Sequence, residues 1–117
     1  MEMITIVRAY NPDLSKALKV ELQEVSGYLY EYNGLQFCIC LCDGFWYAIE
    51  LRTGHSAAVY EREINDSDEY CIEEIKRMMA LKSTFEYTKA LVACETFMQR
   101  MGFDVPINKK VTTDESN

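Results

Sequence analysis

Residues 28–49, Tyr-Leu-Tyr-Glu-Tyr-Asn-Gly-Leu-Gln-Phe-Cys-Ile-Cys-Leu-Cys-Asp-Gly-Phe-Trp-Tyr-Ala-Ile, decide the fold. Two dipeptides, Asn33-Gly34 and Asp43-Gly44, interrupt runs of aromatic and β-branched residues. Type I′ hairpin turns need positive φ at both central positions, which Asn-Gly and Asp-Gly accept readily. With a third turn at Thr53-Gly54, the pattern predicts a four-stranded antiparallel meander with strands at about 28–32, 35–42, 45–51 and 56–60. Two-residue loops set the register: Tyr32 faces Leu35, Tyr30 faces Phe37, Tyr28 faces Ile39, Cys42 faces Phe45, Cys40 faces Tyr47 and Cys38 faces Ile49.

That register predicts two apolar faces. One carries Cys38, Cys40, Cys42, Phe45, Tyr47, Ile49, Leu51, Ser56 and Ala58, and its mixture of small and large groups assigns the C-terminal helices there. The other carries Tyr28, Tyr30, Tyr32, Leu35, Phe37, Ile39, Leu41, Trp46, Ala48, Glu50, Ala57 and Val59, more aromatic area than a monomer leaves in water. Either the N-terminal segment lies across it as a helix, or it is a contact surface for a partner or a second copy. A one-residue bulge would swap the assignment beyond it.

Downstream, Glu61-Arg62-Glu63-Ile64-Asn65-Asp66-Ser67-Asp68-Glu69 carries six charged residues in nine. Cys71, Ile72, Ile75, Met78 and Met79 then recur at helical spacing, and Asp66 with Glu69 resembles a capping box, predicting a helix at about 67–81. Ser83-Thr84-Phe85-Glu86 caps a second helix at about 84–101, stopped by Gly102. Met3–Ala9 reads as a strand. Between Leu14 and Val25 a helical stripe competes with strand-like alternation, and helix is preferred. The expected organisation is one α+β domain over 1–103 with a flexible polar tail over 104–117.

A chain of 117 residues fits one domain, since domains run to about 100–200 residues. Nineteen acids against twelve bases give a charge of −7, which disfavours direct nucleic-acid binding. The opening Met1-Glu2-Met3-Ile4 lacks the basic flank and apolar run of an export signal, and no stretch reaches the roughly 20 apolar residues of a membrane helix. The expectation is a cytoplasmic protein. Its five cysteines are then reduced thiols, acting as small apolar filler. Cys38-x-Cys40-x-Cys42 departs from the two-to-four-residue spacing of zinc sites, so no metal and no cofactor is expected.

Catalytic constellations are also missing. The sole imidazole, His55, adjoins Ser56, but neighbours on a strand point to opposite faces. No phosphate-binding glycine loop, paired-histidine motif or nucleophile-elbow serine is present, and a calcium-loop frame started at Asp66 places Cys71 where glycine is required. No enzyme is expected.

The stretch from Tyr30 to Phe37, followed by Phe45–Ile49, Thr53-Gly54 and a helix after an acidic loop, resembles the three-strand-and-helix pattern of small phage and mobile-element accessory proteins over about residues 28–80. Its size and acidity are similar to those of anti-CRISPR inhibitors, and the resemblance implies a protein that occupies a basic groove of an effector. The order of elements also resembles double-stranded-RNA-binding domains, without their basic helix start. The functional expectation is a non-enzymatic module that docks on a basic protein partner. Its contact residues are Tyr28, Tyr30, Tyr32, Trp46 and Glu50 with Glu61, Glu63, Asp66, Asp68 and Glu69 of the acidic loop. The alternative is a homodimeric scaffold or small-ligand-binding domain.

Overall fold

The computed structural model describes residues 2–12 and 19–112. Among these, five antiparallel strands form one sheet in sequential order: β1 (Met3–Tyr10), β2 (Glu21–Tyr32), β3 (Leu35–Cys42), β4 (Phe45–Glu50) and β5 (Ser56–Glu61). Two helices follow, α1 (Asp68–Ala80) and α2 (Thr84–Arg100), so the fold is α+β. Both glycine turns adopt the backbone that their sequences demand: Asn33 and Gly34 have φ of 52° and 76°, and Asp43 and Gly44 have φ of 50° and 83°. The β2–β3 and β3–β4 pairings, including Tyr30 with Phe37 and Cys40 with Tyr47, follow the register that two-residue loops impose.

The meander has five strands, not four. Residues 21–25, where a helix was preferred, form the first half of β2 and pair with β1 from Ile6↔Val25 to Tyr10↔Glu21. Of the rest of that predicted helix, residues 19 and 20 belong to no helix or strand and 14–18 lie outside the described residues. A second strand running alongside satisfies the backbone of 21–25 as a ladder and overrides the helical stripe, whose Leu22 is left exposed.

Gly27 is a pivot within β2. A Cβ there would collide with the Ile39 carbonyl oxygen and lie 2.8 Å from the Cys40 Cβ. This closeness lets the first half of β2 swing away from β3 and carry β1 across the cysteine face. Ile6 and Val25 then pack on Cys38, Cys40, Ile49 and Leu51. The outer edge of β1 meets the β4–β5 connection, where the Ala9 amide donates to the Gly54 carbonyl at 2.9 Å. The sheet is therefore rolled, with the cysteines inside the roll.

The two faces are covered in the reverse of the expected sense. The helices lie on the tyrosine and tryptophan face, where Cys71, Ile72, Ile75 and Met79 of α1 join Phe37, Ile39, Trp46 and Ala48 in one core. Full burial of each aliphatic side chain contributes about 1.5–3 kcal/mol. The N-terminal segment covers the cysteine face, and does so as strands. Cysteines suit this interior because a rolled sheet needs narrow side chains where its layers approach. A register shift between Ala48 and Ile49 makes Ala57 the extra residue of β5. The bulge puts Ala58 and Tyr60 on the helix side and turns Val59 outward, the swap that one inserted residue produces.

Ser67 and Ser83 cap the helices, accepting from the Tyr70 and Glu86 amides at 3.1 Å. The cap of α1 is thus Ser67, not Asp66. Beyond Gly102 the chain is no loose tail as far as the described residues extend. The Ile107 amide donates to the Arg52 carbonyl, and the Asn108 side chain exchanges two hydrogen bonds with the Val7 backbone and donates to the Leu51 carbonyl. The Gln36 amide side chain donates to the Val111 carbonyl at 2.7 Å and accepts from the Val111 amide at 2.8 Å. Residues 106–111 strap the roll shut. Polar composition hid this, because the attachment is made by side-chain amides.

Candidate functional site

Where β5 ends, residues 61–67 make a compact turn before α1. The Asp66 carboxylate accepts from the Tyr60 hydroxyl at 2.8 Å and from the Glu63 amide at 2.9 Å. The Asp66 amide donates to the Glu63 carbonyl, and the Arg62 amide to the Gly44 carbonyl of the neighbouring hairpin. Arg62 reaches across to Asp68 at 4.0 Å, which contributes little between exposed groups. The hydrogen bond that Tyr60 gives to Asp66 holds the phenol above its ordinary range, so the proton stays in place at neutral pH. The turn is closed on itself, and it lifts Ile64 to 94 % exposure. Glu61, Glu63, Asp68 and Glu69 surround it, all exposed. Tyr70 lies half-exposed beside them, edge-on to Tyr60.

The other expected contact residues separate from this patch. Trp46 is 4 % exposed within the helix-covered core, and Glu50 is 2 % exposed, so neither can meet a partner in this fold. Glu50 is structural: its carboxylate accepts from the Arg52 amide, the Thr53 amide and the Thr53 hydroxyl at 2.7–3.0 Å, shaping the β4–β5 connection. Tyr28, Tyr30 and Tyr32 are half-buried against the same core. Lys76 covers the Tyr30 ring and Tyr87 meets the edge of Tyr32. Of the ten expected residues, only the five in and beside the acidic turn, Glu61, Glu63, Asp66, Asp68 and Glu69, form an outward surface. Ile64 was missed because periodicity treats an isolated apolar residue in a charged loop as incidental.

Next to Glu50 stands His55, edge-on to Phe97 of α2 with centroids 6.0 Å apart. Burial lowers its basicity, and the nearby Glu50 charge opposes that shift only partly. The fold therefore prefers the neutral imidazole, whereas the unfolded chain titrates near its ordinary value of about 6.5. As pH falls below about 6.5 the unfolded state binds the proton first, so stability drops until His55 titrates in the fold. We expect the melting temperature lost between pH 6.5 and 5.5 to be larger for the parent than for His55→Asn. Equal losses in thermal melts would contradict it.

Cys94 shares this region. Burial, and then the Glu50 charge, push its thiol up, so the protonated form prevails at neutral pH and the thiolate needed for nucleophilic attack is disfavoured. Inside the roll, the hydrogen bond between Cys40 and Cys38 and then burial hold the Cys40 thiol protonated, while burial pushes Cys42 up to about 11. All five cysteines are free, and no cluster of three ligating side chains that could hold a metal ion occurs among the described residues.

The fold and surface define an α+β protein with a rolled antiparallel meander, two helices on one face and a presented acidic turn. The chain matches no protein-family model, no curated protein and no solved structure. No described helix is long and apolar enough to cross a membrane.

Proposed function

We propose that the protein is a non-enzymatic protein-binding module that docks its acidic turn on a basic partner, with Ile64 as the apolar anchor. The observation that carries this reading is a large aliphatic side chain held almost wholly in solvent by a turn that is fastened from both sides. Left exposed, such a side chain forfeits about 1.5–3 kcal/mol, which burial in a partner recovers. A turn already closed also loses little conformational freedom on binding. The ring of carboxylates speeds encounter with a positive surface and rejects acidic ones. Occupation of a basic nucleic-acid groove of an effector, the role that the resemblance to anti-CRISPR inhibitors implies, is the specific form of this reading.

Pull-downs with the parent and two variants test it. The joint reversal of Glu61, Glu63, Asp68 and Glu69 to lysine should abolish capture of the basic partner, and Ile64→Ser should weaken it about tenfold, the worth of some 1.4 kcal/mol of lost apolar burial. Neither should move the melting temperature by more than a few degrees. Asp66 is left intact in both because it builds the turn. Capture that survives both variants, at low and high salt alike, rejects the reading.

A second reading has one observation in its favour. Leu81, Phe85 and Val92 are exposed on and just before α2, an apolar line that a second copy of the chain would cover. Light scattering across a hundredfold concentration range tests this homodimer, and a constant monomer mass removes it.

A further inference from the structure

At the open end of the roll, between the end of β1 and the start of β5, lies a cavity of about 460 Å³. That volume falls within the roughly 300–1,000 Å³ of small-molecule sites, and the mouths of rolled or closed sheets are among the places such sites prefer. Its wall includes Arg8, Tyr10, Lys19, Tyr47, His55 and Phe97, and among the described residues no aspartate or glutamate. The described wall thus carries two cations and no carboxylate of its own.

The two cations differ in availability. Lys19 is paired with Glu21 at 3.6 Å, and Glu21 also accepts from the Tyr10 hydroxyl at 3.3 Å. Arg8 makes no ion pair among the described residues. Its Nε donates to the Gln23 side chain at 2.8 Å, which leaves both terminal amino groups of the fork. The guanidinium is held over the Tyr10 and Tyr47 rings, 4.9 and 5.2 Å from their centroids. A fixed, permanently charged fork is suited to a carboxylate or phosphate.

His55 supplies the second element. Its ring borders the cavity, while Nε2 is shut off from solvent and has no hydrogen-bond partner within the fold. Phe97, perpendicular to the imidazole, and Tyr47 offer flat apolar surface on the same wall. A smaller cavity of about 280 Å³ shares His55, Ser56 and Cys94 with the first, but Glu50 and Glu86 stand in its wall. Those carboxylates place the charged end of a ligand on the Arg8 side.

We propose that the mouth of the rolled sheet is a binding site for a small planar organic anion, its charged group on Arg8 and its ring against Tyr47, Phe97 and His55. The site is independent of the acidic turn. Because His55 is the only histidine, nitrogen-15 NMR of the imidazole reports on the site without assignment ambiguity. The probes are indole-3-acetate and adenosine 5′-monophosphate, each beside its neutral counterpart, indole-3-acetamide or adenosine, with inorganic phosphate as the ringless control. At least one organic anion should shift the His55 ring-nitrogen signals saturably. Its neutral counterpart and phosphate should bind at least tenfold more weakly, and Arg8→Gln should lose at least tenfold in affinity with an unchanged amide spectrum. The proposal is overturned if neither anion binds at millimolar concentration, or if the neutral counterpart or phosphate matches it. Retention of full affinity by a folded Arg8→Gln also overturns it, and should that variant not fold, the ligand comparison in the parent decides.

Discussion

Gly27→Ala is expected to destabilise the protein by about 3 kcal/mol or more, the upper range for forcing atoms into a packed site. At roughly 4 °C per kcal/mol for a chain of this size, the melting temperature should fall by about 12 °C. The added methyl would meet the Ile39 carbonyl and the Cys40 Cβ, 2.8 Å away, and neither can move without opening the β2–β3 ladder or the cysteine interior. The effect separates two kinds of glycine. At Gly34 a Cβ meets nothing within 4 Å, so alanine there costs only what its positive φ imposes, about 1 kcal/mol. Thermal melts followed by circular dichroism would rank the variants. A Gly27→Ala protein that melts within 2 °C of the parent would show that β2 does not cross β3 so closely.

Asn108→Ala is the second large effect. One amide side chain serves three backbone groups: it accepts from the Val7 amide at 2.8 Å and donates to the Val7 carbonyl at 2.8 Å and the Leu51 carbonyl at 2.9 Å. Alanine leaves all three in a part-buried place that water fills poorly. With about 1–3 kcal/mol for an orphaned buried group, a total near 3 kcal/mol and a melting temperature lower by roughly 10 °C follow. Asn108→Asp retains the acceptor and loses both donors, so it should recover only part of the loss. Hydrogen exchange gives the local readout, since the Val7 amide should pass from protected to fast-exchanging. If its protection is unchanged in Asn108→Ala, the strap does not hold β1.

Much of the fold was legible because local chemistry dictated it. Asn33-Gly34 and Asp43-Gly44 admit few backbones other than the turns they form, and the turns then fix five and six residue pairs respectively. Ser67 and Ser83 mark helix starts within a residue or two of where the sequence places them. What was not legible depends on contacts between distant segments. Whether residues 21–25 coil or extend is decided by β1, not by their own pattern. Which face the helices take is decided by the roll at Gly27, a residue whose close approach to β3 has no mark in the sequence. The bulge at Ala57 reverses β5 with no local signal.

The candidate surface divides along the same line. Exposed acids in a polar run are recognisable without coordinates, and Glu61, Glu63, Asp68 and Glu69 lie where the charge pattern suggests. Trp46 and Glu50 were misplaced because the helices cover their side of the sheet. The pocket at the sheet mouth had no signature at all: Arg8 of β1, His55 of the β4–β5 connection and Phe97 of α2 are far apart in the chain.

The strap has a consequence for biosynthesis. Val7 and Asn108 are separated by 101 positions, so β1 leaves the ribosome well before the residue that secures it. At some 5–20 residues per second, β1 waits several seconds for its clasp. During that interval the nascent ribbon shows its thiol-lined side to its surroundings or to a chaperone, and a translational pause ahead of Asn108 would prolong that exposure.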